Sequence, residues 1–115
     1  MRTILIRLTA AAAMFASVAA YGNEIEIPKA SGDKGKYFLL DLKRKDDIIT
    51  TLHKRVGVYE TGYSKTQINC GTRQYRDVAY GEEGPHKLKP ASGSKWTDLV
   101  QGSSKSYLVA LACSR

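Results

Sequence analysis

Few residue types in this chain can carry covalent or acid–base chemistry. Its two cysteines are Cys70 and Cys113, and its two histidines are His53 and His86. Neither histidine has a second ligand at metal spacing, and no CxxC pair exists. His53 is followed directly by Lys54 and Arg55, whose charge opposes a divalent cation. Glu82-Glu83 is an adjacent acidic pair flanked by Gly81, Gly84 and Pro85. That setting reads as a solvated loop tip, since acid–base catalysis needs carboxylates that are separately positioned and perturbed. No phosphate-cradling glycine loop and no Gly-x-Ser-x-Gly turn occurs. The residues therefore support no enzyme, no metal site and no cofactor.

Basic clusters are what remains. Lys43, Arg44 and Lys45 form one run, and His53, Lys54 and Arg55 form a second. Lys87 and Lys89 flank Leu88 in a third. If one β excursion returns the first two runs to the same edge of a sheet, then Lys43, Arg44, Lys45, Lys54 and Arg55 make a ligand-binding patch for sulfate or phosphate groups. The competing reading is scattered solvated charge, which Asp46-Asp47, directly after the first run, favours.

The first twenty residues have the pattern of a secretory signal. Arg2 and Arg7 give a positive start, Leu8 to Ala20 is almost uncharged, and Val18-Ala19-Ala20 offers the small residues of a cleavage site. The apolar stretch is shorter than the about 20 residues that span a bilayer. Residues 21–115 then form one domain, with Tyr21 first and no transmembrane segment. The whole chain carries 18 basic and 11 acidic residues; losing Arg2 and Arg7 with the leader leaves 16 basic residues and a net charge of +5. That balance suits an anionic partner such as an acidic glycan or an acidic protein face, and export makes nucleic acid an improbable one. No cysteine follows the apolar stretch, so the chain lacks a lipobox and is expected in the periplasm, in the medium or associated with the cell surface. Export also places Cys70 and Cys113 in an oxidising compartment, where an even count predicts one disulfide.

These residues need elements to hold them. Ile25 and Ile27 alternate with Glu24 and Glu26 as a short half-buried strand. Tyr37 to Leu42 is a strand-length apolar run, and Lys43 to Asp47 reads as a charged connection. Ile48 to Thr51 and Arg55 to Tyr59 are β-branched segments, either one bent strand or a hairpin around Leu52-His53-Lys54. In the clearest segment Lys65, Gln67 and Asn69 alternate with Thr66, Ile68 and Cys70, which puts the second set on the core face. Gly71-Thr72 permits a turn into a strand from Gln74 to Tyr80, with Val78 and Tyr80 on one face. Gly81 to Lys95 reads as a long loop, and Trp96 as the plug of the core after it. Ser103 suits an N-cap for a short helix over Ser104 to Cys113, with Tyr107, Leu108, Leu111 and Ala112 on one face. The apolar run Tyr107 to Leu111 fits a final strand as well. The expected fold class is α+β: an antiparallel β-sheet with a C-terminal helix, tethered to the sheet by the Cys70–Cys113 bond.

The segment SKTQINCGTRQYR over Ser64 to Arg76, followed after a loop by WTDLVQGSSKSYLVALAC over Trp96 to Cys113, resembles the surface-adhesin protein E family. Tyr37-Phe38-Leu39-Leu40-Asp41 and Val56-Gly57-Val58 are similar to its upstream strands, so the likeness covers residues 36–113. It implies a sheet with a disulfide-tied C-terminal helix, capacity to form a homodimer, and adhesion to host matrix and serum proteins such as laminin, vitronectin and plasminogen. The chain departs from the family in lacking the lipobox cysteine and a tryptophan before Tyr37.

The function expected is thus that of an exported, non-enzymatic binding protein of the adhesin type, with a protein or anionic glycan partner. The alternative is a periplasmic inhibitor or immunity protein that plugs an enzyme cleft, with Gly81–Lys95 as the plug. A third reading is a structural accessory of an envelope complex.

Overall fold

A computed structural model describes residues 24–115. The signal-peptide reading of residues 1–20 lies outside the described residues. The described chain is α+β: an antiparallel sheet, with one C-terminal helix packed on one face. The strands are β1 (Ile25–Ile27), β2 (Lys36–Lys45), β3 (Ile48–Val56), β4 (Thr61–Asn69), β5 (Gln74–Gly81), β6 (Lys89–Pro90) and β7 (Thr97–Asp98). The helix, α1, spans Ser104–Cys113. Strands β1 to β6 lie in chain order, and β7 pairs with the opposite end of β5 from β6.

Local chemistry explains the long central hairpins. Lys43 to Lys45 are not a connection, as the sequence reading had them, but continue β2, and the chain reverses in the two residues Asp46-Asp47. Asp46 takes the left-handed backbone (φ 58°), which Asp tolerates better than most side chains. The alternatives for the next segment resolve to one unbroken strand, β3, with no hairpin at Leu52-His53-Lys54. At the β4–β5 turn the Asn69 side-chain oxygen accepts hydrogen bonds from the Gly71 and Thr72 amides (2.9 and 3.1 Å), and Arg73 adopts φ 61°.

Pleating assigns the faces. On the helix side, Ile49 pairs with Ile68 and Thr51 with Thr66, all four fully buried. Ile27, Leu39, Leu108, Val109 and Ala112 complete the core. The two buried threonines are satisfied: the Thr51 hydroxyl donates to the Thr66 carbonyl (3.2 Å), and the Thr66 hydroxyl donates to Asp77 (2.6 Å).

The final segment is a helix, because the Ser103 side chain accepts from the Ser106 amide and caps its first turn. Its core-facing residues are Leu108, Val109 and Ala112, with Tyr107 and Leu111 only half-buried at their flanks. Cys70, one residue past β4, and Cys113, the last residue of α1, form a disulfide across a sequence separation of 43, with Cα atoms 5.8 Å apart. Among the described residues no helix is long and apolar enough to cross a membrane.

Three other expectations are corrected. A register shift opposite Lys65 and Thr66 breaks the alternation of β5 at Val78, so Val78 and Tyr80 do not share a face. Gly81–Lys95 is not wholly loop, because β6 pairs with Ala79 and Tyr80 and the Ala91 amide donates to the Val78 carbonyl (2.9 Å). Trp96 is not a core plug: it is half-buried on the sheet face opposite the helix.

Candidate functional site

The helix-free face of the sheet carries three lysines of the two basic runs and the Arg76–Trp96 pair. Along β2 and β3, alternation sends Lys43, Lys45, Thr50, Leu52 and Lys54 to this face and Arg44 and Arg55 to the other. Cross-strand neighbours Gln67 of β4 and Arg76 of β5 join them. Arg76 Nε donates to the Gln67 side-chain oxygen (2.9 Å), and its guanidinium lies 4.7 Å from the centre of the Trp96 ring. This is a cation–π stack, which holds a flexible side chain in one orientation.

Two adjoining grooves of about 490 Å³ each cross this face and share Lys43. One runs between Lys45 and the Arg76–Trp96 stack over Thr50 and Gln67. The other passes Leu40, Leu52 and Tyr63 to Lys54 and Pro85. Among the described residues Lys43 and Lys45 have no carboxylate within 4 Å, whereas Lys54 is 2.9 Å from Glu24 and 5.2 Å from the centre of the Phe38 ring.

The five basic residues singled out from the sequence are therefore not one cluster. Lys43, Arg44 and Lys45 pair with Thr50, Ile49 and Ile48 at one end of the β2–β3 hairpin, while Lys54 and Arg55 pair with Phe38 and Tyr37 at the other. The excursion separates the runs instead of returning them to one edge, because a single uninterrupted strand joins them. Lys43, Lys45 and Lys54 share the helix-free face; Arg44 donates to the Asp46 carbonyl (3.4 Å) at the turn, and Arg55 belongs to the helix side. Arg76 and Trp96 were missed as a pair. The sequence reading placed Arg76 in the strand from Gln74 to Tyr80, but nothing local linked it to a ring twenty residues on.

Chemistry on the helix side is quieter. His53, 9% exposed, sits beneath Lys105 and Leu108. Burial, with the neighbouring Lys105 charge, pushes its pKa down to about 4 against the opposing pull of Asp77, so the imidazole is neutral near pH 7. Among the described residues no group of three or more His, Cys, Asp or Glu side chains could hold a metal ion. Compared with family models, curated proteins and solved structures, the chain matches none.

Proposed function

We propose that the protein is an exported, non-enzymatic binding module whose helix-free sheet face holds an acidic glycan chain. One observation carries this reading: Lys43 and Lys45, with no carboxylate within 4 Å among the described residues, flank a groove that Arg44 and Asp46 also line and whose far wall is the Arg76–Trp96 stack. Sulfate and carboxylate groups pair with ammonium and guanidinium donors, while sugar rings lie against aromatic faces. The net positive charge draws such a chain in from a distance. Adhesion to matrix proteins, the expectation carried by the adhesin E resemblance, is consistent with it where those proteins or their surroundings display acidic glycan.

The test is retention on immobilised heparin and on laminin, comparing the protein with a Lys43→Glu, Lys45→Glu variant over a salt gradient. Retention that fades as the screening length drops from about 10 Å at 0.1 M to about 3 Å at 1 M, and that the variant abolishes, supports the reading. Equal retention of both proteins would exclude this face.

A second reading, an inhibitor that inserts a turn into an enzyme cleft, draws on a separate feature. Val58 and Tyr59 in the β3–β4 turn are 68% and 96% exposed. A large apolar side chain standing free on a turn anchored by the Gly57 amide to Glu60 carbonyl bond (2.7 Å) has the form of an insertion residue. Binding to envelope hydrolases that is lost on Tyr59→Ala would favour it.

A further inference from the structure

A cavity of about 290 Å³ opens on the helix side, between the N-terminal turn of α1 and the ends of β2 to β5. Its floor is apolar and buried: Ile27 and Leu108 are 3% and 2% exposed. His53 completes the floor, and its Nδ1 is buried with no hydrogen-bond partner among the described residues. A buried polar atom without a partner is rare in folded proteins, and sites for ligands are one place where it occurs.

The rim holds Arg55, an exposed cation oriented through Tyr37. Arg55 Nε donates to the Tyr37 phenolic oxygen (3.2 Å), and the guanidinium lies over the Tyr37 ring. Tyr37 in turn donates to Asp33 (2.8 Å), whose other oxygen accepts from the Gly35 amide (2.9 Å). The Gly35 amide, and then Tyr37, hold the Asp33 carboxyl below the usual carboxylate range, so it remains a firm acceptor. Two glycines shape the backbone around the guanidinium. A Cβ on Gly57 would stand 2.7 Å from Arg55 Nη1, and one on Gly35 would stand 3.0 Å from Nε. Yet among the described residues Arg55 has no carboxylate within 4 Å, and its terminal nitrogens have no hydrogen-bond acceptor. The other cation at the cavity, Lys105, is neutralised by Asp77 at 3.0 Å. An oriented guanidinium fork with its outer donors unused is the form that recognises a planar carboxylate. The Asp33 and Glu60 charges near Arg55, with Glu60 on the rim, disfavour multiply charged anions such as phosphate.

We propose that this cavity binds a small amphipathic monocarboxylate, its carboxylate on the Arg55 fork and its apolar body over Ile27, Leu108 and the Tyr80 ring. The site lies on the opposite face from the glycan grooves and does not depend on them.

The test titrates the oxidised, full-length protein with 4-hydroxyphenylacetate, its uncharged amide and inorganic phosphate, followed by nuclear magnetic resonance of the Arg55 Nε–H, the His53 ring and the Leu108 methyl groups. The carboxylate should shift all three saturably. The amide and phosphate should bind at least about tenfold more weakly, the loss expected when a charge-assisted pair is missing. Arg55→Gln should weaken the carboxylate by about as much. Gly57→Ala, which keeps the charge but displaces the guanidinium, should weaken it too while the Leu108 methyl shifts of the free protein stay in place. No saturable shift, equal binding of the amide, or undiminished binding by Arg55→Gln would overturn the proposal. Undiminished binding by a folded Gly57→Ala would overturn the orienting role of the glycine cradle. A Lys43→Glu, Lys45→Glu variant should bind the carboxylate unchanged, which separates failure here from failure of the glycan reading.

Discussion

The Arg76 guanidinium lies 4.7 Å from the centre of the Trp96 ring, joining β5 to the segment before β7 on the face that the helix leaves uncovered. Burying a tryptophan in a core makes its truncation cost about 3–5 kcal/mol. A half-exposed cation–π stack contributes only about 0.5–1 kcal/mol. Trp96→Ala should therefore lower stability by about 1 kcal/mol in urea unfolding, while heparin retention falls clearly. A loss of core size would return Trp96 to a purely structural role.

Pleating separates the three neighbours Lys43, Arg44 and Lys45. Lys43→Glu and Lys45→Glu should each elute from heparin at lower salt, whereas Arg44→Glu should shift elution less. Three equal shifts would show that net charge alone drives retention. Isolated exposed charges contribute little, about 0–1 kcal/mol each, so the double variant is the decisive one.

His53 makes stability depend on pH in a defined window. Its pKa falls from 6.5 in the unfolded chain to about 4 in the fold, chiefly by burial, so below pH 6.5 the unfolded state binds a proton that the fold does not. Stability is therefore full above pH 6.5, declines as pH falls toward 4, and loses nothing further from this group below that. The ceiling on the loss is about 3 kcal/mol, from 1.36 kcal/mol per pKa unit. The measurement that isolates this group is the difference between the protein and His53→Phe in urea midpoints at pH 7 and pH 5. Parallel midpoints at both values would contradict it. Lys105 and Asp77 face the imidazole with opposite effects, the Lys105 charge lowering its pKa with burial and the Asp77 charge raising it.

The Cys70–Cys113 bond closes a 43-residue separation, for which loop-closure entropy gives about 4 kcal/mol. Alkylation without reductant should label no thiol. Reduction, or a Cys70→Ser, Cys113→Ser variant, should cost a large part of the about 5–15 kcal/mol that a domain of this kind has. Strand content should outlast helix content, because without the bond α1 is left with the packing of Leu108, Val109, Ala112 and their flanks and the Lys105–Asp77 pair. A fully labelled protein, or an unchanged melting temperature after reduction, would refute this.

The sequence by itself determined the secondary pattern wherever one residue's environment repeats locally. The alternation Thr66, Ile68, Cys70 put three side chains inward because successive strand residues must face opposite ways. Ser103 after Gly102 offered a cap for a run that the sequence left open between strand and helix, and the fold uses it, since a hydroxyl acceptor at that position satisfies an otherwise unpaired amide. The even cysteine count foretold the disulfide for the same kind of reason, one that needs no knowledge of distance. Tertiary structure alone decided what met across strands. Whether Lys43 and Lys54 were neighbours depended on whether β3 broke at Leu52-His53-Lys54, and that is settled by pairing with β2 and β4 over its whole length, not by any residue within it. The shift at Val78 turned Tyr80 to the helix side, and the choice of β5 as partner for both β6 and β7 brought Trp96 to Arg76. The Arg55 cradle has the same origin. Gly35, Tyr37 and Gly57 are each unremarkable in their own segments, and they come together beside the Arg55 guanidinium only because β2 and β3 lie antiparallel with Tyr37 opposite Arg55. Registers of this kind are set by the summed packing of both faces, a long-range quantity that no window of sequence contains.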